Sequence, residues 1–160
     1  MALRAALETS KTGPYHRTES LHIQVLLMSD QPRTIQWEFK NEKAIPKLIK
    51  KNKIAAITDG AFVTKITLFE EFSSKVLEGK FYVMKGYTLR GESPPYHILV
   101  TKNTQFYRSS RFVCKEGIME EARELLCPTS PQIPVANVKG TKGLLTVEGK
   151  IVQVCLLCLS

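Results

Sequence analysis

The residues best suited to chemistry in this sequence are an aromatic ring and a cation within the stretch "KITLFEEF". Side chains alternate between the two faces of a strand, so Lys65 and Phe69 share one face here. Ile66 and Leu68 lie on the opposite face and form the natural core pair. The Phe69 ring then lies on the face of a lysine, an arrangement suited to stacking on a nucleic-acid base beside a bound phosphate. The alternative is that Phe69 ends the strand and folds over the next helix with Phe72.

Two further groups combine aromatic rings with bases. Tyr82 and Tyr87 are predicted to point to opposite faces of one strand, so at most one of them faces a ligand. We favour Tyr87, together with Lys85, as the ring that faces the ligand. The alternative for each tyrosine is burial. Downstream, a cluster holds two rings and two bases: Phe106, Tyr107, Arg108 and Arg111. Its alternative interpretation is a strand end with a solvated basic flank. Trp37 is predicted to pack in a core or hairpin rather than to stack.

The charge of the chain favours an anionic ligand. The 160 residues include 23 Lys and Arg against 15 Asp and Glu, a formal net charge of +8. Lysine and arginine outnumber the acidic residues between residues 32 and 53. The segment 93–115 contains no acidic residue but includes Lys102 and two arginines. This distribution is typical of a polyanion binder, with a merely solvated basic surface as the alternative.

Metal, disulfide and catalytic chemistry have little support in the sequence. Cys155 and Cys158 have the spacing of half a zinc site, but no second pair follows and the histidines are far away in sequence. The other cysteines fit reduced thiols of an intracellular protein, since the sequence begins without a signal-peptide pattern. Neither a glycine-rich phosphate loop nor a nucleophile motif occurs. The sequence therefore predicts a binding module without a cofactor, rather than an enzyme.

The elements that must position these residues begin after a polar segment. Residues 1–20 are predicted to form a flexible leader. Two extended pieces follow, "LHIQVLLM" and "TIQWEF", separated by a turn at "SDQP". The apolar spacing in "KAIPKLIKKN" favours a short helix.

The clearest local signal is a hairpin. Two apolar-rich runs are joined by Asp59 and Gly60, which supply the turn chemistry of an antiparallel pair. A short helix containing Phe72 follows, and Gly79 suits its left-handed end. Later segments are predicted as two strands, "KFYVMKGYTLR" and "YHILVTKNTQFY", and a helix, "GIMEEARELL".

This order contains no strand-helix-strand repeat that would require a parallel sheet. It predicts an all-β fold, a five-stranded OB-fold Greek-key barrel with a helix between strands three and four and a C-terminal helix. We expect the barrel to span residues 21–127. Residues 128–160 are predicted to form a proline-rich linker and a further strand or strand pair in "KGLLTVEGKIVQV".

The stretch "VTKITLFEEFSSKVLEGKFYVMKGYTLR", followed by "ILVTKNTQF", resembles the DNA-binding OB-folds of the large subunit of replication protein A, the eukaryotic single-strand binding protein. The shared pattern is a basic residue four before an aromatic, a short helix, a "GKxYxxxKGxLR/K"-like strand and a "TKN" in the next strand. The resemblance covers residues 53–110. The segment "PQIPVANVKGTKGLLTVEGKIVQV" resembles the linker and first strand of a second, truncated OB-fold in the same tandem array.

The resemblance implies roles for individual residues. The family's phosphate-contacting arginine of strand three falls on Lys65, its stacking phenylalanine on Phe69, and the basic residue after strand four on Arg90. Its second stacking aromatic falls on or near the aliphatic Ile98, a departure from the pattern, with two neighbours as substitutes. The candidate nucleic-acid-binding residues are Lys65, Phe69, Lys85, Tyr87, Arg90, Tyr96, His97, Lys102, Phe106, Arg108 and Arg111.

The expected function is single-stranded DNA binding through a basic groove with aromatic stacking. The resemblance implies a role in DNA replication, repair or recombination in the nucleus, with the cytoplasm as a variant location and RNA or duplex DNA as variant ligands. A different class remains open: an OB-fold module that binds a protein partner and no nucleic acid. Neither hypothesis involves a membrane.

Overall fold

The computed structural model describes residues 2–10 and 17–150, which divide into two units, 1–126 and 127–160. The first unit contains three helices and seven strands. The helices are α1 (Leu3–Glu8), α2 (Glu70–Ser73) and α3 (Ile118–Leu126). The strands are β1 (Leu21–Lys40), β2 (Lys43–Thr58), β3 (Val63–Leu68), β4 (Phe81–Lys85), β5 (Thr88–Arg90), β6 (His97–Leu99) and β7 (Gln105–Arg108).

All pairing between these strands is antiparallel. Five strands form one sheet in the order β3-β2-β1-β4-β7, and β5 and β6 form a second, two-stranded sheet. β6 lies against β3, the edge strand of the larger sheet. The predicted all-β class is therefore confirmed, and the larger sheet is not closed by strand pairing within the described residues.

The hairpin of β1 and β2 is longer than the sequence predicted. β1 continues through "SDQP", so the predicted turn there is wrong, and the chain reverses instead at Asn41 and Glu42. Both residues have positive φ, 48° and 62°, as a two-residue hairpin turn of the primed type requires. The predicted helix in "KAIPKLIKKN" is also wrong, because cross-strand pairing with β1 makes this segment extended. Pro46 is tolerated because it pairs with Trp37 in a two-stranded region, where a missing N–H can face solvent.

The predicted hairpin at Asp59 and Gly60 is confirmed. β2 and β3 pair from Lys53 and Leu68 to Thr58 and Val63, leaving a four-residue loop between them. The Asp59 carboxylate accepts hydrogen bonds from loop N–H groups. Gly60 has φ +102°, and a Cβ there would lie 2.9 Å from a backbone carbonyl oxygen of residue 113. Both the backbone conformation and the close approach therefore require glycine.

The predicted strand "KFYVMKGYTLR" is divided into β4 and β5 at Gly86. This residue has φ +68°, and a Cβ there would lie 2.6 Å from the Asn103 carbonyl oxygen. The chain changes its partner strand at this bend, since β4 pairs with β7 and β5 pairs with β6. Gly86 thus lets the ribbon bend and brings β6 towards β3.

The main core contains the predicted pair Ile66 and Leu68, which are both buried. A second cluster joins the sheet to α3, where Ile118 and Ala122 pack on Leu26 and Ala56. The helix predicted in "GIMEEARELL" is thus confirmed as α3, and these apolar side chains pack it on the sheet. The helix predicted after β3 is also present as α2, although it is only one turn long.

The prediction of a flexible leader is wrong for the first residues. α1 places Leu3 and Leu7 in the main core, and the Leu7 carbonyl accepts a hydrogen bond from the Tyr96 N–H at 2.8 Å. The Leu3 N–H donates to the Asp59 carboxylate at 2.7 Å. This segment was missed because six residues are too few to establish a helical period and the following Gly13 suggested a loop.

The second unit is described as far as residue 150. It contains a 3-10 helix, Val135–Gly140, and an isolated bridge between Gln132 and Thr146. The predicted strand over "KGLLTVEGKIVQV" is absent from residues 143–150, which form only this bridge; its remainder and both cysteines of "CLLC" lie outside the described residues. None of the helices in the described ranges is long and apolar enough to cross a membrane.

Candidate nucleic-acid interface

A groove of about 470 Å³ lies where the end of β3 and the start of α2 meet β6 and the turn after it. Two aromatic rings, two lysines and one carboxylate line it, together with aliphatic and hydroxyl groups. The lining residues are Lys50, Phe69, Glu71, Phe72, Leu99, Val100, Thr101 and Lys102. The structure thus brings together two of the residues predicted from sequence, Phe69 and Lys102.

Phe69 is fixed by the backbone on both sides of it. It directly follows β3, and its carbonyl accepts hydrogen bonds from the N–H groups of Phe72 at 2.8 Å and Ser73 at 3.2 Å. The Glu70 N–H donates to the side chain of the buried Asn52 at 3.2 Å, which ties the start of α2 to β2. The half-buried Phe69 ring is therefore held at the groove wall, and it ends the strand beside Phe72, as the alternative interpretation described.

The charges of the groove come from three side chains. Lys50 extends from β2 and Lys102 from the turn after β6, while Glu71 comes from α2. The Lys50 ammonium lies 3.9 Å from the Glu71 carboxylate, and both side chains are largely exposed. The groove therefore carries one net positive charge from its lining residues, two lysines and one glutamate.

A row of edge-to-face aromatic contacts connects the groove to the core. Phe72 and Phe106 meet edge to face with ring centroids 6.1 Å apart, and Phe106 meets Tyr82 in the same way at 6.1 Å. The Tyr82 hydroxyl accepts a hydrogen bond from the Leu77 N–H at 2.9 Å. Phe106, predicted as a contact residue, is thus half-buried against the core and supports Phe72 instead of lining the groove.

Lys65 shares a strand face with Phe69 but does not line the groove. It pairs with Ala56, whose side chain lies in the cluster with α3, so Lys65 is exposed next to that helix. The alternation of side chains along β3 correctly predicted that Lys65 lies away from the core. It did not reveal that the groove is limited to the end of β3, where Lys50 supplies the nearby cation.

Two predicted contact residues are buried. Tyr87, which we favoured over Tyr82 as the ring facing a ligand, is 2% exposed and belongs to the main core; that prediction is wrong, and Tyr82 is buried as well. Burial, with a smaller contribution from the charge of Glu19, raises the pKa of Tyr87 to about 12. Tyr96 is also buried, so it cannot replace the missing second stacking ring.

The remaining predicted residues occupy two other parts of the surface. Arg90 and His97 are exposed partners in the β5-β6 pair. At the β4-β7 edge, the Lys85 ammonium lies 5.8 Å from the centroid of the exposed Tyr107 ring, and the Arg108 guanidinium lies 5.4 Å from that of Tyr82. Arg111 is exposed further along the chain. These bases are not lining residues of the groove that holds Phe69.

Two residues that line the groove, Lys50 and Phe72, were not among the contact residues predicted from sequence. Lys50 belongs to the basic segment 32–53, but its assignment to a helix hid its position at the base of a hairpin. Phe72 was interpreted only as a packing residue. In the described ranges, no group of three or more histidine, cysteine or acidic residues could hold a metal ion.

No protein-family model matches the chain, and no curated protein has significant sequence similarity to it. Two solved structures are similar in backbone. A chain from work called "Structural mimicry for functional antagonism" has a TM-score of 0.48 at 13% identity; the match covers 79% of this chain and 55% of that one. A hypothetical protein from Arabidopsis thaliana, solved in solution, has a TM-score of 0.46 at 14% identity, covering 65% and 74% of the two chains. This chain therefore spans just over half the length of the first of these structures.

Proposed function

We propose that this protein binds single-stranded DNA in the groove formed by Phe69, Lys50 and Lys102. The observation that carries the proposal is the half-buried Phe69 ring at the groove wall, with a lysine from β2 and another from the turn after β6 lining the same groove. A ring accepts the π-face of any base, and lysines attract the phosphates on either side of it. Such a module would serve DNA replication, repair or recombination in the nucleus.

The arrangement of strands supports an OB-fold barrel as the scaffold. The β1-β2-β3 meander, the pairing of β1 with β4, and a helix between β3 and β4 in sequence follow the order that this fold requires. β5 and β6 form the bent end of the β4-β7 ribbon and lie against β3. On this proposal that contact closes the barrel, and the groove lies on the barrel surface beside it.

Stacking and backbone charge together set the expected affinity. One stacked base contributes roughly 1–3 kcal/mol, and each phosphate contact adds a salt-dependent contribution. The groove offers two aromatic side chains and two lysines, which suits a short stretch of nucleotides. Because neither stacking nor lysine contacts read base identity, we expect little sequence preference.

Fluorescence anisotropy of labelled oligo-dT tests the proposal. The wild-type chain should bind at low salt, and Phe69→Ala should weaken binding by about tenfold, as expected for the loss of one stacked base. Phe112→Ala is the matched control, because Phe112 is also half-buried but packs edge to face on Phe81, with centroids 5.0 Å apart.

Absence of oligo-dT binding at low salt would contradict the proposal. Equal losses in Phe69→Ala and Phe112→Ala would do so as well, since they would point to a general loss of folded protein. Competition with oligo-rU and with a duplex of the same length then establishes which nucleic acid is preferred.

A further inference from the structure

The outer part of the β1-β2 hairpin extends beyond the rest of the sheet. Among the described residues, β4 pairs with β1 only over 21–24, and β3 pairs with β2 only over 53–58. Residues 29–52 therefore form a two-stranded ribbon, which we call the arm. Its longer strand, residues 29–40, has 12 residues, so the arm is about 40 Å long. Such a ribbon has few internal contacts to stabilise it and is marginal on its own in water.

The arm exposes large apolar side chains in unusual density. Single exposed apolar residues are ordinary, but a concentration of them marks an interaction surface. Trp37 is 52% exposed and Phe39 is 77% exposed. The exposed large apolar residues of the arm are Ile35, Trp37, Phe39, Ile45, Leu48 and Ile49.

These side chains are arranged on both faces of the ribbon. Trp37 pairs with Pro46, and Phe39 pairs with Ala44 two positions further on, so the two rings share one face. Ile45 lies opposite Glu38 at the intervening position and therefore belongs to the other face. A partner covering the first face would contact both rings at once.

The arm is also basic. Six bases stand against three acids between residues 29 and 52. Glu38 is paired with Lys40 at 3.5 Å, Asp30 with Lys53 at 4.0 Å, and Lys50 with Glu71. Four bases form no ion pair within the described part of the chain: Arg33, Lys43, Lys47 and Lys51. The surface is thus complementary to an acidic partner, and the arms of two copies would repel each other.

Two features favour a polypeptide over a nucleic acid as that partner. Four of the six exposed apolar side chains are isoleucine or leucine, which offer no π-face to a base but suit the apolar side chains of a protein. The ribbon also has outer strand edges, whose N–H and C=O groups can pair with an added extended segment. Pro32, Pro46 and the lysines limit this pairing and so discourage indiscriminate association.

We propose that the arm is a docking site for an extended, acidic polypeptide segment whose alternate side chains are apolar. The apolar side chains cover the Trp37 and Phe39 face, and the carboxylates meet the unpaired bases. The Trp37 and Phe39 face is outside the groove lining, which shares only Lys50 with the arm. This docking goes beyond the proposed binding of DNA, so either can fail without the other.

The single tryptophan of the chain makes the arm directly observable. The probe is a synthetic 12-residue peptide in which aspartate alternates with leucine and phenylalanine; the matched peptide has lysine in place of aspartate. We expect the acidic peptide to shift the Trp37 emission to shorter wavelength in a saturable manner, because docking removes the half-exposed indole from water. Phe39→Ser should weaken binding about tenfold. Val113→Ser is the control, since Val113 is 93% exposed and lies outside the arm.

Three outcomes would overturn the proposal. One is the absence of any emission change with the acidic peptide, and another is an equal change with the lysine peptide. The third is an emission change produced by oligo-dT and not by the acidic peptide, which would assign the arm to nucleic acid. Sedimentation without peptide adds a further check: a dimer that Phe39→Ser dissociates would identify a second copy as the occupant and would also overturn it.

Discussion

Lys50 and Glu71 form an ion pair in the lining of the groove, with 3.9 Å between the ammonium nitrogen and the carboxylate oxygen. Lys50 comes from the base of the arm and Glu71 from the one-turn helix α2. Because both side chains are largely exposed, the pair contributes little to stability. If the groove binds DNA as proposed, this carboxylate opposes the positive charge that attracts the strand.

Glu71→Gln should therefore increase affinity for oligo-dT by a few-fold at low salt, because it frees Lys50 and removes one negative charge. The gain should disappear as salt is raised. Anisotropy titrations at several salt concentrations measure it. Glu116→Gln, which removes an exposed acid outside the groove, serves as the control. A loss of affinity in Glu71→Gln would contradict the assigned geometry.

The two groove lysines should each contribute to the salt dependence of binding. Lys50→Ala and Lys102→Ala are expected to reduce the slope of log affinity against log salt by about 0.7 each, the value for one phosphate contact with a single strand. Lys80→Ala changes the net charge equally at an exposed site outside the groove. If all three variants lower the slope alike, general charge and not the groove governs binding.

Asp59 should be essential for stability above pH 4. Partial burial alone would raise the pKa of this carboxyl, but hydrogen bonds from the N–H groups of Leu3, Ala61 and Phe62 outweigh it and lower the pKa below 3.8. The bonds are 2.7, 3.1 and 3.0 Å long. A lowered folded pKa stabilises the protein above the unfolded value, and that stabilisation is lost as the pH falls through the folded value.

Asp59→Asn should lower the free energy of unfolding by about 1–3 kcal/mol at pH 7, since the amide offers one acceptor oxygen in place of two. The difference from wild type should shrink below pH 4. Urea unfolding followed by circular dichroism measures both. Asp30→Asn removes a carboxylate that is 84% exposed and should have little effect. A constant difference across the acid range would show that ionisation of Asp59 is irrelevant.

Tyr87 should limit stability at alkaline pH. Its folded pKa of about 12 lies above the ordinary value of 10.0, so the stabilisation is complete below pH 10 and is lost as the pH rises from 10 to 12. Tyr87→Phe should remove part of this alkaline loss, whereas Tyr107→Phe, at an exposed ring, should not. Unfolding monitored against pH tests this expectation. Absorbance at 295 nm should show one fewer late-titrating tyrosine in Tyr87→Phe.

Local patterns predicted the elements that depend on local chemistry. The Asp59-Gly60 hairpin and the buried pair Ile66 and Leu68 are present because turn chemistry and strand alternation act within a few residues. The apolar face of α3 was equally readable from its spacing. Phe69 was singled out by strand alternation and the resemblance and Lys102 by the acid-free segment 93–115, and the structure places both in the lining of one groove.

Long-range pairing explains what could not be predicted. The segment around Pro46 has helical spacing, yet it is extended because it pairs with β1, where Pro46 lies opposite Trp37, nine positions earlier in the sequence. Tyr87 follows the bend at Gly86, so counting alternate positions from β4 gave the wrong exposure. The number of bases in the segment 32–53 was visible, but only the arm reveals that Lys50 reaches the groove.

Helix α1 also constrains how the protein forms during synthesis. Its Leu3 N–H bonds to a carboxylate 56 positions later, and its Leu7 carbonyl to the N–H of Tyr96. α1 leaves the ribosome before the segments that receive it, because Asp59 and Tyr96 are translated later. Until then Leu3 and Leu7 are open to solvent, and a chaperone that binds short apolar segments can act on α1.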